Sequence, residues 1–343
     1  MKNKYPLASL NALFMGLVLL VSTIGCKKNL PVDRESIGTD SRFTVSTYMP
    51  VLGRNTLFSD NFFVGNSSQP LTFKIINMRT RDGVAAKELI DNYPVQVWTK
   101  PYLGDEKSIA EIEAKRKIEH RPLFEIREHS GQFLMWSAAN SSLVRTQPDS
   151  GYVFDVEMSN TGGRRYFRDL KLMPLKERAF EPSVLDPITG LSKYIGLTSA
   201  SLINMSGEKT DIPLFNNDVG VLFKKVGNGN SITIKFVDSL YKPIDPKKFN
   251  LTKWDQLLHG FNMKMTSDSV KYDVAYPIPL IAYKTKYTNT LGDKAHLSFS
   301  YDRLGFGNFR QVASLNMDFA IYEKGDWLIT IWFLNESPKF TND

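Results

Sequence analysis

One cysteine in 343 residues leaves no partner for an intramolecular disulfide and no thiolate cluster for a metal. Histidine is nearly as scarce: His120, His129, His259 and His296 are the only four, with no close pair and no HExxH spacing. Zinc or histidine-based catalysis is therefore not expected, and each histidine reads as a surface or partly buried residue. A Gly-x-Ser-x-Gly elbow, a P-loop and a dinucleotide fingerprint are also missing. Gly305-Phe306-Gly307-Asn308-Phe309 lacks the third glycine and a following helix, so it reads as a loop. Two-carboxylate glycosidase chemistry needs only a suitable pair of acids, but nothing among the 36 singles one out. The chain reads as a non-enzyme without metal or cofactor. Asn216-Asn217-Asp218, and Asp302 with Asn308, could serve calcium, yet turn residues tolerating left-handed backbone explain them more simply. No low-complexity segment, long heptad run or internal repeat is present.

Charge of one sign is not concentrated either. Without residues 1–25, which hold Lys2 and Lys4 and no acid, the formal net charge falls from +7 to +5. Cations are scattered among acids, as in Arg79-Thr80-Arg81-Asp82, so nucleic acid is not an expected partner. Hydrophobic residues make up 42 % and aromatics 12 %, ample material for buried cores.

The one long apolar stretch is at the start. Met1-Lys2-Asn3-Lys4 is followed by an apolar run from about Ala12 to Ile24, shorter than the roughly 20 residues a spanning helix needs. It reads as a secretory signal. Its end, Gly25-Cys26, resembles the lipobox of bacterial lipoproteins, in which a small residue precedes a cysteine that is acylated before cleavage; Thr23 and Ile24 depart from the usual pattern. Cys26 is accordingly the expected lipid attachment, tethering the mature chain to a membrane. The plainer alternative is an ordinary residue closing a secretory signal.

From Arg42 onward, short runs rich in Val, Ile, Thr and aromatics are broken by Gly, Asn, Asp and Pro, the pattern of strands and turns. The expected fold class is all-β, two tandem β-sandwich domains. Boundaries fall as a lipoprotein signal peptide at 1–25, a lipidated tether at 26–40, an N-terminal immunoglobulin-like sandwich at 41–180, a linker at 181–193, and a larger C-terminal sandwich or jelly-roll-like domain at 194–343, the candidate binding domain. One helix is predicted inside the first domain, Ser108 to Glu119, with Ser108 as N-cap and Glu111 completing a capping box. Strands are predicted at Ile281 to Tyr287 and at Trp327 to Leu334, the latter central and buried. Gly227 to Asn230 and Lys324 to Asp326 carry hairpin-turn chemistry.

Aromatic residues are the remaining candidates for function. Sugar rings stack their C–H faces on Trp and Tyr beside hydrogen-bonding polar groups. Trp98, followed by Lys100-Pro101-Tyr102, and Trp254, with Asp255 and Gln256 in an apparent helical turn, are best placed, and Tyr283, Tyr287 and Tyr301 come next. Trp136, Trp327 and Trp332 lie in apolar strands and read as core. For every candidate the competing reading is a core or rim aromatic.

Gly25-Cys26-Lys27-Lys28-Asn29-Leu30-Pro31, a short linker and tandem aromatic-rich β domains resemble the SusE/SusF-like surface glycan-binding lipoproteins of Bacteroidota. More narrowly, with Asp186-Pro187-Ile188-Thr189-Gly190 contributing, the chain resembles Bacteroidota lipoproteins of the DUF5007 type. The resemblance implies a non-catalytic lipoprotein that binds a polysaccharide, oligosaccharide or other nutrient beside a SusC/SusD-like TonB-dependent transporter. The resemblance implies lipid anchoring in the outer membrane with display at the cell surface, but Lys27 and Lys28 stand where surface-exported lipoproteins of this phylum often carry acids, which leaves the periplasmic face open. A scaffolding lipoprotein of a surface complex, with no sugar ligand, is the alternative.

Overall fold

The computed structural model describes residues 35–192, 200–305, 307 and 309–340. The expected signal peptide, Cys26 and most of the tether lie outside them. The architecture is all-β.

In the N-terminal half the elements are β1 (Arg42–Phe43), β2 (Thr47–Tyr48), β3 (Thr56–Phe58), β4 (Phe62–Phe63), β5 (Thr72–Thr80), α1 (Lys87–Ile90), β6 (Asn92–Trp98), α2 (Ile109–Glu113), β7 (Arg116–Pro122), β8 (Phe124–Ile126), β9 (Phe133–Met135), β10 (Tyr152–Asn160) and β11 (Gly163–Leu172). One sheet runs β2-β11-β10-β5, with β2 parallel to β11, and the other runs β3-β9-β8. This is an immunoglobulin-like strand order. Aromatic rings fill the space between the sheets. Phe133 of β9 meets Phe154 of β10 at 5.3 Å and Tyr48 of β2 at 4.6 Å. Phe133 is fully buried, and its truncation to alanine would cost about 3–5 kcal/mol. Midway along β10 the register shifts against both neighbours, where Asn77 and Asp169 take positive φ of 53° and 59°. The Asp155 carboxylate ties both irregularities together, accepting from Asn77 Nδ2 and from the Asp169 amide at 2.9 Å each.

The β6–β7 hairpin stands apart as an arm. Val95 and Val97 pack on Leu134 and Trp136, the outer side of the β3-β9-β8 sheet. The predicted helix from Ser108 to Glu119 is corrected to a single turn. Ser108 does cap it, its Oγ accepting from the Glu111 amide at 3.1 Å, but Glu111 accepts from the Lys107 amide instead of completing the box. A lone turn gains little from propagation, whereas residues 116–122 gain a seven-residue ladder with β6.

The C-terminal half contains β12 (Phe180–Glu181), β13 (Ser201–Ile203), β14 (Val219–Gly227), β15 (Ser231–Val237), β16 (Pro243–Ile244), β17 (Gly260–Met265), β18 (Val270–Val274), β19 (Ala295–Leu304), β20 (Arg310–Ile321) and β21 (Asp326–Phe333). The larger sheet is ordered β14-β21-β15-β18-β17, with β16 beside β15. Against it, β20 pairs with β19 over ten residues and, on its opposite edge, with β13, while β12 joins its last two residues. Phe236, Phe249 and Phe299 mesh at 4.3–6.1 Å between the two layers.

Four expectations change here. Gly227 to Asn230 closes no hairpin, because β21 lies between β14 and β15 and runs parallel to the latter. Lys324 to Asp326 leads from one sheet into the other. Ile281 to Tyr287 forms turns rather than a strand, following Pro277 and Pro279, which have no amide to give a ladder. Trp332 belongs to the outward register of β21 and meets Tyr241 edge to face at 5.5 Å, outside the core. By contrast, β21 is internal to its sheet, as its apolar run implied.

The two halves have separate cores, one drawn from residues 37–172 and the other from 179–340. Ala179 and Phe180 already pack with the second. One staple between them is Arg54, which donates to Glu181 Oε1 at 2.8 Å and to the Tyr322 hydroxyl at 2.9 Å. The other is the tip of the arm.

Candidate ligand site at the junction of the two cores

The arm's tip, residues 99–115, holds its shape around a buried carboxylate. Glu106 accepts from the amides of Leu103 and Gly104 at 3.0 Å each and pairs with Lys115. Gly104 has φ of 80°, a left-handed position that suits glycine. Burial alone would push this carboxyl up; the Lys115 ammonium and the amide donors overcome it and hold the pKa near 2. Fixed in this way, the tip presents Tyr102 and Ile112 to Ala275 and Leu280 of the other half, forming a small apolar cluster between the cores. Arg116 braces the base of the tip, its guanidinium 4.3 Å over the Trp98 ring and donating to the Tyr276 carbonyl at 2.9 Å.

His259 closes the contact from the C-terminal side. Its Nε2 lies 2.9 Å from the Glu106 carbonyl, which can only accept, so Nε2 carries the proton. Nδ1 then accepts from the Tyr102 hydroxyl at 2.5 Å. Burial lowers the pKa of His259 and favours this neutral form. Its ring lies parallel to Tyr287 at 4.9 Å and 10°, so Tyr287 is stacked in place before any ligand arrives.

A cavity of about 30 Å³ lies here, lined by Tyr102, His259, Pro277, Ile281, Thr285 and Tyr287 among others. That is room for roughly two or three waters and too small for a sugar ring. Its polar groups are mutually satisfied: the Thr285 amide donates to Thr288 Oγ1 at 2.8 Å, and the Tyr287 amide to Thr285 Oγ1 at 3.2 Å. The surface beside it is more open. Tyr283 is 65 % exposed, Leu103 65 % and Leu291 80 %, so large apolar side chains near the junction are open to solvent. Lys284 and Lys286 are exposed beside the two tyrosines, with the Lys286 ammonium 4.9 Å from the Tyr287 ring. The arrangement offers stacking faces and charged donors. It offers little for proton transfer, because both nitrogens of His259 are held by the protein.

Of the aromatics singled out by sequence, Trp98, Tyr102 and Tyr287 meet at this junction, and Tyr283 stands on its rim. Trp98 and Tyr102 serve as wall, under Arg116 and against His259 respectively. Trp254 and Tyr301 are elsewhere. Trp254 sits in the one-turn helix Trp254–Gln256, with its ring 5.7 Å from Phe299 on the edge of the second core. Tyr301 is fully buried in the inward register of β19, 4.8 Å from Phe340, and offers no face to a ligand. Asn216 Oδ1 accepts from the Leu202 amide, and Asp218 accepts from the Phe215 amide and from Asn335 Nδ2. Among the described residues no group of three or more His, Cys, Asp or Glu could hold a metal ion. Glu106, Lys115 and His259 escaped the sequence reading as site residues, because their partners are distant in sequence or are backbone atoms.

Residues 62–342, running through both cores, match the family described as "Domain of unknown function (DUF5007)". The chain belongs to the DUF5007 family. The match begins at β4 and ends beyond β21, so it takes in the junction between the two cores as well as the cores themselves. Comparison with curated proteins finds no match. Among the described residues, no helix of this DUF5007 chain is long and apolar enough to cross a membrane.

Proposed function

We propose that this DUF5007 protein is a non-catalytic, lipid-anchored binding protein of the Bacteroidota outer membrane. It holds a glycan or another nutrient beside a SusC/SusD-like importer. The observation that carries the reading is the loop from Ile281 to Tyr287. It carries the exposed Tyr283 four residues before Tyr287, which is already stacked on His259, and adds the exposed Lys284 and Lys286 between them. Rings held in place lose little freedom on binding, and the lysines supply hydrogen bonds to sugar hydroxyls. Lipid on Cys26 keeps the site at the membrane, with cell-surface display following from the SusE/SusF-like resemblance.

The test is a glycan-array and affinity-gel screen of residues 27–343 against plant, host and microbial polysaccharides. Retention that is lost in Tyr283→Ala upholds the reading; silence from folded protein on every glycan removes it. The exposed Leu103 and Leu291 favour a second reading, a scaffold that contacts protein through this same patch. Co-purification of a SusC/SusD-like pair with tagged chain, lost in Leu291→Asp, would support the scaffold.

A further inference from the structure

The outer face of the β2-β11-β10-β5 sheet combines exposed cations with an exposed tyrosine. Along β11 the partly or fully buried Arg165, Phe167, Leu170 and Leu172 turn inward, leaving Arg164, Tyr166, Arg168 and Lys171 exposed. Across the sheet Glu157 stands between Tyr166 and the exposed Lys74, and Val153 between Lys171 and Arg79. The acids here are already engaged. Asp155 and Asp169 face Arg79 at 3.5 and 2.8 Å, and Glu157 lies 3.7 Å from Arg164. Lys74, Arg168 and Lys171 enter no ion pair among the described residues. The β6–β7 arm covers the opposite sheet and leaves this face open.

The way the chain enters the fold is the second observation. Residues 35–38 are packed along the β10–β11 turn: the Thr161 amide donates to Glu35 Oε2 at 3.0 Å, and Asn160 Nδ2 to the Ser36 carbonyl at 3.2 Å. A Cβ at Gly162 would come within 1.8 Å of the Glu35 carbonyl oxygen, so this packing needs glycine there. Residues 26–34 then reach roughly 30 Å at most from a lipidated Cys26 to this turn, next to Arg164.

We propose that this face docks on an anionic lipid surface, the membrane that holds the chain's own anchor. Lys74, Arg164, Arg168 and Lys171 meet lipid phosphates, and Tyr166 sits at headgroup level. The short tether favours the membrane over a soluble acidic polymer, and that part of the argument rests on the lipid-anchored reading above. Docking in this way would hold the protein in one orientation relative to its membrane.

The test is sedimentation of the chain from residue 27, which contains every described residue, with vesicles. One set is pure phosphatidylcholine and the other contains phosphatidylglycerol as a minor component. Binding is expected to the anionic vesicles only and to weaken as salt rises. Each of Lys74→Glu, Arg168→Glu and Lys171→Glu should weaken it by about fivefold or more. Lys264→Glu, an exposed lysine on β17, should leave it unchanged. Absence of wild-type binding, equal binding to both vesicle types, or a triple variant that binds normally would overturn the proposal. So would retention on a polygalacturonate gel, abolished in the triple variant, without vesicle binding; that result would assign the face to an acidic glycan. Because the chain used lacks Cys26, the outcome is separate from lipidation itself, which the mass of the full-length product reads.

Discussion

Glu106→Gln tests how the arm is held against the second core. The carboxylate side chain is 2 % exposed, and it accepts two amide hydrogen bonds and pairs with Lys115, itself 21 % exposed. Removing one partner of a buried pair costs about 3–5 kcal/mol, and hydration of the partly exposed Lys115 recovers some of it, leaving about 2–3 kcal/mol. A glutamine also turns an N–H group toward one of the two amide donors. The acid side gives an independent reading of the same interaction. The folded carboxyl is held near 2 against an ordinary 4.5, so over that interval the unfolded chain binds more protons and stability rises with pH. The contribution is complete above about 4.5 and is lost as the pH falls toward 2. After allowance for solvent screening it amounts to about 1–2 kcal/mol. Urea unfolding of wild type and variant across this range should show a lower midpoint for the variant at neutral pH and a shallower loss on acidification. Equal midpoints with unchanged pH dependence would refute the role given to Glu106.

Tyr102→Phe strips His259 Nδ1 of its donor in a partly buried setting and should cost about 1–2 kcal/mol by the same unfolding assay. His259 acts in a separate window: its folded pKa is lowered, so stability falls as pH drops below the usual 6.5, and His259→Phe should remove that component. Trp254→Ala, at the edge of the second core, should lower stability by about 2–3 kcal/mol while leaving glycan retention intact. Loss of retention at unchanged stability would place Trp254 in the site after all.

Alternation of apolar residues was legible wherever one strand face is buried. Ser231–Val237 and Tyr152–Asn160 appear nearly as their patterns imply. Topology was less so. Gly227 to Asn230 has the composition of a tight turn, yet the strand that separates β14 from β15 is β21, about a hundred residues later, and local sequence carries no mark of that pairing. Residues 116–118 read as helix because they continue the spacing of Ile109 and Ile112 behind a Ser108 cap, whereas the ladder with β6 decides their state. Tyr301 and Trp254 show the limit for the site. An aromatic in an alternating strand fits either face until the register is known, and the register of β19 is set by its ten-residue pairing with β20. The junction was half legible: Trp98, Tyr102 and Tyr287 stood out as rings, while the Glu106 and His259 contacts that bring them together cross about 150 residues.

The most direct measurement of the binding claim is affinity electrophoresis on whichever polysaccharide the screen retains. It compares wild type, Tyr283→Ala/Tyr287→Ala and Tyr241→Ala, the last a tyrosine 48 % exposed in the turn between β15 and β16. The proposed site predicts that the double variant migrates freely while Tyr241→Ala is retained like wild type. Undiminished retention of the double variant would contradict it.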